Sequence, residues 1–118
     1  MKSLVPVLIL SLLFCSNIMK AQTVYETQYE TAADVSVYVT DFTSIADLIV
    51  YKAPSQTYPG VYKNEGIWYF TSYQTIADKV VYFTQYQTAA DLIIAYTNNP
   101  NLAGWKNPSK KKLMRINK

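Results

Sequence analysis

The chain contains no histidine and only one cysteine, Cys15, among 118 residues. Without histidine it lacks the commonest general base and the commonest metal ligand together. A lone cysteine cannot close an intramolecular disulfide, so stability has to come from packing and topology. Glycine occurs only at positions 60, 66 and 104, and no glycine-rich loop is there to cradle a phosphate. The acids are scattered and match no calcium-loop spacing. The serines and threonines have no basic partner to activate them. These absences point away from an enzyme: no catalytic residue, metal or cofactor is expected. Long apolar runs are missing too, apart from Leu4 to Phe14, which is too short to span a bilayer.

That one run follows Lys2 and leads to Met19-Lys20-Ala21. It reads as a signal peptide over residues 1–21, cut before Gln22, so the protein is expected to be exported, periplasmic or extracellular. Two rival readings are a lipid anchor on Cys15 and an uncleaved N-terminal anchor. Removing the segment leaves 118 − 21 = 97 residues, enough for one domain with a modest core. Charge is unevenly spread. Five basic residues (Lys110, Lys111, Lys112, Arg115, Lys118) stand in the last nine positions, whereas residues 22–109 carry 4 − 8 = −4. The expected division is a domain over 22–112 and a basic tail over 113–118. Such a tail is either a solvated terminus or a weak contact to anionic lipid. Nucleic acid is not an expected partner.

One phrase then appears four times: VYETQYETAAD at 24–34, VYVTDFTSIAD at 37–47, WYFTSYQTIAD at 68–78 and VYFTQYQTAAD at 81–91. Tyr25, Tyr38 and Tyr51 are 13 apart, and 44 residues later the same spacing carries Tyr69, Tyr82 and Ala95. The chain therefore reads as two tandem 44-residue repeats. Each phrase opens with period-two alternation, Tyr25, Thr27 and Tyr29 against Glu26, Gln28 and Glu30, the pattern of a half-buried strand. The tyrosine face is expected to form the core. Each phrase closes on a hydroxyl followed three residues later by an acid: Thr31 and Asp34, Ser44 and Asp47, Thr75 and Asp78, Thr88 and Asp91. That spacing resembles a capping box, here expected to cap a single helical turn at a bend. Leu48-Ile49-Val50 and Leu92-Ile93-Ile94 are apolar on both faces and predict central, buried strands. The bends are shorter than a parallel crossover within one sheet needs, which leaves a hairpin or an arch between two sheets. The lack of glycine in the bends disfavours tight hairpins. An arch that interleaves the two halves is the favoured reading.

The phrase V-Y-x-T-x-(Y/F)-x-(S/T)-x-A-D, with Ala103-Gly104-Trp105-Lys106-Asn107 and Ser109-Lys110-Lys111-Lys112-Leu113-Met114 after it, resembles the bacterial septoil knot domain family. The likeness covers nearly all of residues 22 to 115. It implies a small, mainly β, deeply knotted domain with a seven-crossing torus knot, and no established activity, cofactor or catalytic residue. The third phrase of each half departs from the wording at Lys52-Ala53-Pro54-Ser55 and Thr97-Asn98-Asn99-Pro100, so looser loops are expected there. The expected fold is mainly β: short strands and single helical turns, interleaved into a knotted compact domain that resists unfolding kinetically.

Aromatic and basic residues off the strands are the candidates for recognition: Tyr58, Tyr62, Lys63, Trp105 and Lys106. Loops on a rigid scaffold commonly carry binding, although Trp105 beside Gly104 equally suits a core plug. The expected role is a non-enzymatic scaffold or binding domain. A module for glycan or peptide in the cell envelope is the alternative, and an aspartate-based hydrolase the third.

Overall fold

The computed structural model describes residues 22–58 and 64–115. The expected signal segment, Tyr62 and Lys63 lie outside them. Seven strands follow in order: β1 (Gln22–Glu26), β2 (Val35–Val39), β3 (Leu48–Lys52), β4 (Ile67–Phe70), β5 (Lys79–Phe83), β6 (Leu92–Thr97) and β7 (Gly104–Trp105). Between them stand short 3-10 turns: η1 (Glu30–Ala32), η2 (Thr43–Ile45), η3 (Gln74–Ile76), η4 (Gln87–Ala89) and η5 (Pro100–Leu102), with η6 (Pro108–Met114) after β7. The fold is thus mainly β with single helical turns at the bends. β2 and β5 start 79 − 35 = 44 residues apart, as do β3 and β6 at 92 − 48 = 44.

The sheet order is β4-β1-β5-β2-β6-β3, and β3 pairs back onto β4 to close a six-stranded barrel. All six strands are parallel. Strands of the first half alternate with strands of the second. The halves are therefore interleaved, but within one closed sheet and not as an arch between two sheets or a hairpin. The register explains why residues 27–34, eight in all, suffice to join β1 to β2. Glu26, the last residue of β1, and Val35, the first of β2, both pair with Val81 of β5. Val39 and Leu48 likewise flank Ile94. The strands are so steeply tilted that each begins level with the end of the one before it. The connection only steps over one strand, about 10 Å sideways, and need not return along a strand's length.

Inward side chains fall into three tiers. The middle tier is Trp68, Val24, Val81, Val37, Ile94 and Val50, all fully buried. Below it lie Gln22, Val35, Leu48 and Leu92, sealed by the buried Met114 of η6. Above it are Phe70, Phe83 and Tyr96, half-buried against the core, with Glu26, Val39 and Lys52 on the same rim. Strand alternation is present as expected, but the face is reversed. Tyr25, Tyr38, Tyr51, Tyr69 and Tyr82 lie half-buried on the outside. A narrow six-stranded interior accepts valine, isoleucine and leucine; a phenol on every strand would overfill it. Leu48-Ile49-Val50 is buried on both faces, as its composition predicts.

Two further expectations need correction. The boundary at residue 112 falls inside η6, because Leu113 packs on the core and Met114 is part of it. The segment at 97–103 is no loose loop: Thr97 Oγ1 accepts from Asn99 N–H, and η5 follows. It is a fifth bend, with Gly104 standing where the other four have aspartate. Gly66 at φ +90° fills a close approach, since a Cβ there would lie 2.4 Å from the Ile49 carbonyl oxygen.

Candidate binding surface

Each bend is built the same way. A threonine at the strand's end turns its hydroxyl to accept from the N–H two residues on: Thr27 from Tyr29, Thr40 from Phe42, Thr71 from Tyr73, Thr84 from Tyr86. One 3-10 turn follows, with negative φ at both caps, which is why no glycine is required. Thr31, Ser44, Thr75 and Thr88 sit inside these turns, and no side chain caps them. The capping-box expectation is therefore corrected: the aspartates bond across to the other half of the chain. Asp34 accepts from Val80 N–H at 2.9 Å, Asp47 from Ile93 at 2.9 Å, Asp78 from Thr23 at 2.9 Å and Asp91 from Ser36 at 3.0 Å. In each case the aspartate's own N–H donates to the same residue's carbonyl. The carboxylate extends the β ladder by one bond and staples the bend onto a strand it crosses.

Thr27 bonds Val81 and Asp34 bonds Val80, so η1 straddles β5. By the same pairs of bonds η2 straddles β6, η3 straddles β1 and η4 straddles β2. Because β1, β5, β2 and β6 are successive neighbours, the four bends are successive neighbours round the barrel. Each presents one aromatic ring at the residue before its turn. In spatial order these are Tyr73, Tyr29, Tyr86 and Phe42, at 69%, 72%, 69% and 68% exposure. Sequence reasoning placed the three tyrosines on a buried strand face. The available signal was that each follows the strand-ending threonine by two residues, already in the bend.

A depression of about 510 Å³ opens beside the last of these bends, lined by Thr43, Ile49, Leu102, Trp105 and Lys106 among others. Trp105 packs on the core and donates Nε1–H to the Asn64 carbonyl at 2.8 Å. It is anchored by that bond and is among the residues that line the depression. Lys106 is exposed there. Tyr58 lies elsewhere, its ring 5.4 Å from Tyr51 over Ala53 and Ile67. The structure thus brings Trp105 and Lys106 together and leaves Tyr58 apart.

Asp47 has a second task. It is buried, and besides Ile93 it accepts from Asn107 Nδ2 at 3.2 Å and Lys110 Nζ at 3.2 Å. Its carbonyl accepts from the N–H groups of Lys106 and Asn107. It therefore fastens the strap formed by β7 and η6. Burial pushes its carboxyl pKa up, but the Ile93 N–H, the Asn107 amide and the Lys110 ammonium outweigh that and hold it below 3.8. A depressed carboxyl stabilises the fold above its unfolded value and loses that contribution as pH falls through the folded one. The strap is expected to loosen below about pH 3.8. Tryptophan fluorescence during acid titration should report it, and Asp47→Asn should remove that transition.

At the upper rim, Lys52 Nζ sits 4.4 Å from the centre of the Tyr96 ring and 5.6 Å from that of Phe70. Burial, and after it the charge of Glu26, pushes the Tyr96 phenol up to about 12. Tyr96 thus favours folding below pH 10 and loses that contribution as pH rises toward 12. In an alkaline absorbance titration Tyr96 should ionise last, and Tyr96→Phe should remove the final step. Among the described residues no cluster of acids or cysteines could hold a metal ion.

The fold defined by these features is a parallel six-stranded barrel wound from two alternating half-chains. A family model for the 7(1) septoil knot domain matches residues 21–106, and the chain belongs to that family. No curated protein and no solved structure matches it. The alternation of the two halves in one sheet accords with a torus knot, which is two lengths of chain twisted about each other.

Proposed function

We propose that this protein is an exported, non-enzymatic binding scaffold whose working face is the row of bends. The observation that carries this reading is the four equivalent rings, each about 70% exposed on a bend stapled to the barrel by its aspartate. Large aromatics are costly to leave in water, and a row of them on a rigid frame marks a recognition surface. The aspartates support a scaffold over a hydrolase: they lie over four different strands, and each gives a carboxylate oxygen to a backbone N–H.

The test is a variant with Tyr29→Ser, Phe42→Ser, Tyr73→Ser and Tyr86→Ser together. Each change should alter stability by no more than about 0.5 kcal/mol, because the rings pack on little. The melting curve should stay within a few degrees of the parent's, while co-sedimentation with the producing cell's envelope fraction falls at least tenfold. Equal co-sedimentation of the two proteins would remove the reading.

A further inference from the structure

We infer that the row takes a neutral, flexible polysaccharide of the cell envelope, with sugar rings stacked on Tyr73, Tyr29, Tyr86 and Phe42. The inference rests on the reading of the bends as the binding face and names its ligand class. Three observations carry it.

The first is charge. The bends at 27–34, 40–47, 71–78 and 84–91 contain no lysine or arginine. A polyanion such as nucleic acid or an anionic lipid surface is bound through cations, and the bends themselves offer only acids; the described cations near the row, Lys106 in the depression and Lys110 paired to Asp47, stand at its Phe42 end. The exposed polar residues beside the rings are instead Gln28, Gln74, Gln85 and Gln87, with Thr31, Ser44, Thr75 and Thr88 in the turns. Amides and hydroxyls of this kind match the rim of a sugar, which both donates and accepts hydrogen bonds.

The second is isolation. The described ring contacts join Tyr51 to Tyr58, Trp68 to Phe70 and Phe70 to Phe83; none involves the four rings of the row. A protein partner is held by a contiguous apolar centre from which water is excluded. Ile45 and Ile76 are also exposed on two of the bends, but the rings stand one to a bend, a spacing that suits a ligand offering one flat, C–H-rich face at a time. Stacking of that kind tolerates chemical variety among successive units.

The third is curvature. Successive bends follow successive strands of a closed barrel, about 5 Å apart at the sheet and wider at the bend tips. The row is therefore curved and suits a flexible chain, not a flat crystalline surface.

Electrophoresis of the purified protein through gels containing soluble glucan, mannan, xylan or galactan provides the test, with heparin as the anionic probe and sedimentation with crystalline cellulose as the flat one. At least one neutral soluble polymer should retard the protein. Each single ring-to-serine change should weaken retardation by about fivefold to tenfold, and the fourfold variant should migrate freely. Heparin and cellulose should have no effect. Retardation by none of the four polymers, equal retardation by heparin, or an unaffected fourfold variant would each overturn the inference. If the fourfold variant loses envelope co-sedimentation while no polymer retards the parent, the binding face stands and the sugar assignment falls, leaving a protein partner.

Discussion

Asp47→Ala is expected to lower stability by about 3 kcal/mol, against about 1 kcal/mol for Asp91→Ala. The two residues stand at the same position of the phrase and make the same backbone bond, so the comparison isolates what Asp47 does beyond it. Asp91 is exposed; when its carboxylate is lost, water can reach the released Ser36 N–H. Asp47 is buried, and its loss strands the Ile93 N–H and the Asn107 amide, while the Lys110 ammonium, 36% exposed, loses its ion pair but can turn to water. Buried donors left without an acceptor carry their full desolvation cost. Urea unfolding of both variants makes the measurement, with Asp47→Asn falling between them because its amide oxygen still accepts from Ile93. Equal losses for the two alanine variants would mean that the strap contributes nothing through Asp47.

Met114→Ala is expected to cost about 3 kcal/mol as well, within the range for truncating a buried methionine. Met114 is fully buried, its carbonyl accepts from the buried Gln22 side chain, and it closes the lower tier of the barrel. Ending the chain at residue 112 should do at least as much damage. The strap ends the described chain and is expected to dock after the barrel, so the loss should appear chiefly as faster unfolding, by more than tenfold, with folding little changed. Stopped-flow measurement in urea separates the two limbs. A slowed folding limb with an unchanged unfolding limb would show instead that the strap docks before the barrier is crossed.

Much of this architecture can be read from the phrase itself. The period-two segments, the apolar Leu48-Ile49-Val50 and the short turns at Thr31-Ala-Ala-Asp34 and its copies all stand where the wording puts them. What the wording withholds is non-local. Alternation says that faces differ but not which is inner, and tyrosine is compatible with either. Only the barrel's narrow bore, set by strand number and tilt, reserves the inside for Val24, Val37 and Val81. The aspartates look like local caps because a hydroxyl three residues earlier completes a familiar spacing. Their partners are 46 or 55 residues away, beyond any local rule. Met114 is hidden by Lys110, Lys111 and Lys112, whose charge makes the segment look like a solvated tail. The fifth bend escapes notice because Asn99-Pro100-Asn101-Leu102 keeps the geometry while changing nearly every residue.

The alternating strand order also governs how this chain can be made. β1, β2 and β3 have no partner among themselves; every pairing of β1 and β2 is to the second half, and β3 is bonded only to β4, β6 and β7. A ribosome that has released residues 22–58 has therefore released three strands without any of their native strand partners. Sheet formation must wait for later-synthesised sequence. The first half of the chain thus carries no native sheet of its own, and the barrel closes only once both halves are present.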